Sequence, residues 1–148
     1  MNRAFLAAVV LAVIVMVVAL VIYERPAGPA RIELKGIELT VEMAVTPSQW
    51  SRGLSGRSSL EMDHGMLFVF DHQNRWAFWM KGMQFPLDVI WFDSNRSIIQ
   101  YVESLQPCCL DDCPTFSPQT DALYALEVNA GFVAAHNLTV GDRFNFVG

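Results

Sequence analysis

Leu87-Asp88-Val89-Ile90-Trp91-Phe92-Asp93-Ser94-Asn95-Arg96-Ser97-Ile98-Ile99-Gln100-Tyr101-Val102 reads as two strands and a turn. Leu87 to Phe92 is a short run of apolar, β-branched and aromatic residues, the composition of a strand. Asp93-Ser94-Asn95 closes it with turn-forming residues, and Ser97 to Val102 is the hairpin partner. Upstream, Ala77-Phe78-Trp79-Met80 predicts another strand, with Lys81-Gly82 and Pro86 bounding a loop between the two. Further back, Met66 to Phe70 is a buried run that follows the turn Asp63-His64-Gly65, and Asp71 to Asn74 is polar and turn-like.

The same reading extends to both ends. Ile32 and Leu34, then Ile37, Leu39, Val41, Met43 and Val45, alternate with other residues at period two and predict one or two strands. Thr46 is placed to cap a helix with Pro47 in its first turn, and Gly53 or Gly56 ends it. Residues 105–121 hold three prolines and three cysteines and read as an irregular loop. Leu123 to Val128 predicts a strand, Asn129 a cap for a helix from Ala130 to His136 ended by Asn137, and Asp142 to Phe146 a last strand. Many short strands with two short helices make an α+β domain. Its mostly antiparallel sheet should be curved and partly barrel-like.

Ahead of that domain stand nineteen consecutive apolar residues, Ala4 to Ile22. As a helix they would extend roughly 28 Å, close to a bilayer core. Tyr23-Glu24-Arg25-Pro26 follows where a cleavable leader would carry small residues, so the segment reads as an uncleaved anchor. The expected organisation is an anchor over residues 1–25, a linker over 26–30 and one α+β domain over 31–148. The domain is expected on the extracytoplasmic side of the cell membrane, or secreted if the segment is cleaved. It carries eight Lys and Arg against fourteen Asp and Glu. Such an acidic surface excludes a nucleic-acid partner and a polybasic lipid-binding stripe.

Four ordered blocks carry a resemblance. They are Arg52-Gly53-Leu54 with Arg57 and Leu60; Gly65 to Phe70; Phe78 to Asp93; and Leu126-Glu127 with Asn129-Ala130-Gly131 and Gly141-Asp142. Together they resemble the domain-of-unknown-function 192 family over roughly residues 37–147. The resemblance implies a small α+β domain, often secreted or anchored, and no established activity. The chain departs from the family pattern at Ser55-Gly56 and Gly82-Met83.

No nucleophile elbow, phosphate-binding glycine loop or dinucleotide fingerprint occurs, so no cofactor is expected. His64, His72 and His136 are scattered and read as surface residues. Asp88 and Glu127 are carboxylates set among apolar neighbours, where burial raises a pKa unless a partner compensates. Lys81 and Arg52 are candidate cations for Asp88. A cleft bounded by the Lys81–Asp88 loop, Arg52 and Glu127, with Trp79 among clustered aromatics, would suit a small ligand, a glycan or a protein partner. That makes a non-catalytic binding module the preferred reading. One alternative is an envelope-polysaccharide hydrolase with Asp88 and Glu127 as its acid pair. Another is a soft-metal site for copper built from Met80, Met83, Cys108, Cys109 and Cys113, with Met62 and Met66 nearby in sequence. Cys113 should otherwise pair with Cys108 or Cys109, leaving one thiol over.

Overall fold

The computed structural model describes residues 3–23, 27–109 and 112–148, with side chains in the first helix described at residues 5 and 8–17. A helix α1, Arg3–Tyr23, precedes the domain. Among the residues whose side chains are described, no helix is long and apolar enough to cross a membrane.

The domain is mostly β-structure. Strands β1 (Ala27–Leu34) and β2 (Ile37–Ala44) form a hairpin around Lys35-Gly36. β1 begins at Ala27, so residues 27–30, expected as linker, belong to the sheet. Helix α2 (Pro47–Arg52) follows, and its start is the expected one. Thr46 accepts from the Gln49 N–H, while the Gln49 side chain accepts from the Thr46 N–H at 3.0 Å, a reciprocal capping box. β3 (His64–Asn74), a two-residue β4 (Phe78–Trp79), β5 (Leu87–Phe92), β6 (Ile98–Leu105), a two-residue β7 (Thr115–Phe116) and β8 (Ala122–Asn129) come next. Helix α3 (Phe132–Ala135) and β9 (Phe144–Val147) close the chain.

Seven strands form one sheet in the order β6-β5-β8-β3-β2-β1-β9, and β4 pairs with β7 apart from it. Every pairing in the large sheet is antiparallel except β2 with β3. The sheet is open rather than barrel-like, because its edge strands β6 and β9 do not pair with each other, and contact between them is confined to their starts, around the bridge Ser97↔Arg143. The quoted hairpin forms as β5 and β6. Asp93 Oδ1 accepts from the N–H groups of Asn95 and Ser97 and fixes the turn.

β5 is buried along its whole length because both faces of the sheet are covered. On one face Ile90, Phe92, Leu126 and Val128 pack with Leu39, Val41 and Phe144 under α3. On the other, Leu87, Val89, Trp91 and Ala125 pack with Phe68, Phe70, Phe78 and Leu54. Asn129 does not cap α3. It ends β8, and its side-chain amide donates to the carbonyls of Leu60 and Glu61, while Gly131 occupies the cap position. Asn137, beyond α3, has φ 51, consistent with the expected helix stop.

Candidate functional site

An open cleft of about 470 Å³ lies on the α2 side of the sheet. The end of α2 and the turn after it, Arg52 to Ser55, form one wall. Phe68 and Phe70 from β3 form the floor, and residues 76–79 with Met83 and Thr115 complete the enclosure. Six aromatic rings face it or build its wall: Trp50, Phe68, Phe70, Trp76, Phe78 and Trp79.

Those rings brace one another. Phe70 and Trp76 stack with centroids 4.4 Å apart, and Trp50 meets the edge of Phe70 at 5.2 Å. Phe68 and Phe78 make a T-shaped pair at 4.8 Å. Two indoles also spend their donors on the backbone, Trp50 Nε1 on the Ala44 carbonyl at 3.0 Å and Trp76 Nε1 on the His72 carbonyl at 3.2 Å. The rings are therefore held by packing, Trp50 and Trp76 also by their polar ends, and what remains for a ligand is aromatic surface. Trp79 differs, standing 48% exposed at the mouth.

Among the described residues, Glu127 is the one carboxylate in the lining. It is 4% exposed, and its Oε2 is buried with no hydrogen-bond partner. Burial pushes its pKa up to about 7, against the pull of the Leu54 N–H and the more distant Arg57 charge. Arg57 is itself committed to Glu42 through a two-pronged ion pair, its Nη2 lying 2.6 Å from Oε2. The chain also makes room for Glu127. Gly53 has φ 49, and a Cβ there would stand 3.1 Å from Glu127 Oε2 and 3.4 Å from the Phe68 ring. Only glycine both adopts that backbone and leaves the carboxylate space.

Of the five residues expected to bind, the cleft gathers Arg52, Trp79 and Glu127. Lys81 lies beside it, with its carbonyl accepting from Ser55 Oγ at 2.9 Å. Asp88 is elsewhere. In the β5–β8 pairing Val89 faces Glu127 and Asp88 faces Val128, so successive side chains put the two acids on opposite faces of the sheet. They cannot act as a pair on one bond, which corrects the hydrolase reading. Nor does Asp88 pair with Lys81 or Arg52. Wholly buried, it accepts from three backbone N–H groups: Ser104 at 2.8 Å, Gly131 at 3.1 Å and Val133 at 2.9 Å. It fastens the end of β6, where Ser104 has φ 54, to the turn before α3.

The soft-metal set is also dispersed. Cys108 is bonded to Cys113, which removes both from the thiolate donors, while Cys109 is free and exposed. Met66, Met80 and Met83 are buried in the apolar cluster and Met62 is 80% exposed. Trp50, Phe68, Phe70 and Gly53 are site residues that the sequence reading did not select. The available signal was the tryptophan at the fourth position of α2, one turn before Gly53.

Residues 30–146 match the DUF192 family, described as "Uncharacterized ACR". A crystal structure from Sinorhizobium meliloti 1021, named as a proposed transcription regulator, is 33% identical with a TM-score of 0.75, covering 83% of this chain and 97% of that one. A protein of unknown function from Novosphingobium aromaticivorans DSM 12444 is 23% identical with a TM-score of 0.74, covering 82% and 92% respectively, and shares the fold. No curated protein matches the sequence.

Proposed function

We propose that this chain, which belongs to the DUF192 family, is a non-catalytic ligand-binding module held at the outer face of a membrane by α1. The observation that carries the binding role is the braced aromatic cleft closing over a buried carboxylate with an unused oxygen. A buried acceptor without a donor costs about 1–3 kcal/mol. A fold that keeps one at the wall of a cavity gains that energy back when a ligand supplies the donor.

The tether rests on α1. Its 21 residues correspond to roughly 31 Å, about one hydrocarbon core. Its described side chains are exposed all round, among them Phe5, Leu11 and Met16, an arrangement that lipid tolerates and water does not.

A thermal-shift screen of small aromatic and aliphatic compounds against the full chain in lipid nanodiscs tests the binding role. Compounds that raise the melting point should lose most of that effect in Trp79→Ala, whose own melting point should change little because the ring is half-exposed. Hits that act equally on the variant, or a screen with no hits, would refute the reading.

A further inference from the structure

We infer that the cleft takes a compact organic cation, a protonated amine on an apolar body, with its ammonium at Glu127 and its body against Phe70, Trp50 and Trp76. The inference rests on the cleft being the binding site and names what enters it.

The lining supplies three things, and a protonated amine answers all of them. The first is an acceptor, because Glu127 Oε2 is buried without a donor. The second is electrostatic. An aromatic ring is negative over its face and draws cations to about 6 Å from its centroid, more strongly where water is excluded. Trp50 and Trp76 direct their N–H groups to backbone carbonyls, so neither indole donor is left for an anionic or acceptor-bearing ligand. The third is the placing of positive charge. Arg52 lines the cleft from the exposed last turn of α2 without an ion pair to Glu127, and Arg57 is tied to Glu42, so no described cation is paired with the carboxylate inside. A neutral donor such as an alcohol would gain the hydrogen bond alone. An ammonium gains the hydrogen bond, the charge pair and the rings.

Binding has a proton balance. The protonated carboxyl of Glu127 becomes a carboxylate on meeting the ammonium, and its proton passes to the buffer, while the amine keeps all of its own. With the acid poised at about 7, uptake of an amine at pH 7 should release about half a proton per site.

Isothermal titration of the full chain in lipid nanodiscs, with empty nanodiscs as blank, decides the matter with phenethylamine and its neutral isostere phenethyl alcohol. Phenethylamine should bind about tenfold tighter or more, the gain of a charge-assisted bond over a neutral one. Its heat should vary with the ionisation heat of the buffer, giving about half a proton released. Glu127→Gln should cost the amine about tenfold and abolish the proton release, with a cooperative tryptophan-fluorescence melt showing that the variant is folded. The proton count in the unaltered protein stands even if the variant fails to fold. Equal affinity for the two compounds, or tight amine binding without proton release, would overturn the inference while leaving a binding cleft in place. Binding of neither compound by a chain that also gives no hits in the screen would remove the cleft reading and this inference with it.

Discussion

Replacing Glu127 by Gln should flatten the dependence of stability on pH. The folded chain holds the Glu127 proton with a pKa of about 7, against 4.5 for an ordinary glutamate, because ionising it would strand a charge in a dry, ring-lined wall. The folded state therefore binds this proton more tightly than the unfolded state does. The resulting stabilisation is complete below about pH 4.5 and is lost as pH rises through about 7. Two and a half pH units at about 1.36 kcal/mol each amount to about 3 kcal/mol, or roughly 10 °C in melting temperature for a domain of this size. Glutamine adds a penalty of its own by burying an N–H where a lone oxygen was, but that penalty does not change with pH. The readout is thus the difference between the two curves. All four tryptophans lie in the β-domain, so their fluorescence follows its unfolding in the intact, nanodisc-bound chain. Between pH 5 and pH 8.5 the variant should gain on the unaltered protein by about 2.5 kcal/mol. Curves that stay parallel across that range would refute the assignment of Glu127 as a desolvated acid.

Two further substitutions separate the cleft from the scaffold. Asp88→Asn should destabilise the domain by about 3 kcal/mol, since the remaining amide oxygen can still accept from Ser104 and Gly131 but the nitrogen in place of Oδ2 meets the Val133 N–H donor to donor, while affinity for cleft ligands stays unchanged. A melting curve and a binding isotherm on the same sample check both halves. Gly53→Ala should cost about 1–3 kcal/mol through its left-handed backbone and the 3.1 Å approach to Glu127, and should also weaken ligand binding, as urea unfolding and the thermal-shift assay would report.

Several of these features were legible in the sequence because they are local. Thr46 and Pro47 mark the start of α2, and Asp93 marks the β5–β6 turn, since both depend on contacts within a few residues. Glu127 was visible as an acid set among apolar neighbours. Its relation to Asp88 was not, because the parity of two strands is set by register, and register is a property of the β5–β8 pairing that neither strand encodes alone. Asp88 was misread for a related reason. Its partners come from positions 104, 131 and 133, and no spacing rule announces that three distant N–H groups will converge.

The aromatic wall shows the same limit. Strict alternation would put Trp76 and Phe78 on one face and Trp79 on the other, yet all three line the cleft, because β4 is only two residues long and residues 75–77 lie outside any strand. The two departures from the family pattern prove to be neighbours. The Gly56 N–H donates to the Gly82 carbonyl at 2.9 Å, and a Cβ on Gly82 would stand 3.6 Å from that of Ser55. Small residues on both turns let one wall of the cleft close against the other.

Ligands should enter the cleft over Glu127, and the four indole N–H resonances of the full chain would report that entry. Trp50, Trp76 and Trp79 line the cleft, while Trp91 is fully buried behind Phe78. Titration with a compound that raises the melting point should move the first three resonances along one saturation curve and shift the Trp91 resonance less, through its N–H bond to the Trp76 carbonyl at 3.1 Å. Saturable binding with the three cleft indoles unmoved would place the site elsewhere and contradict the account.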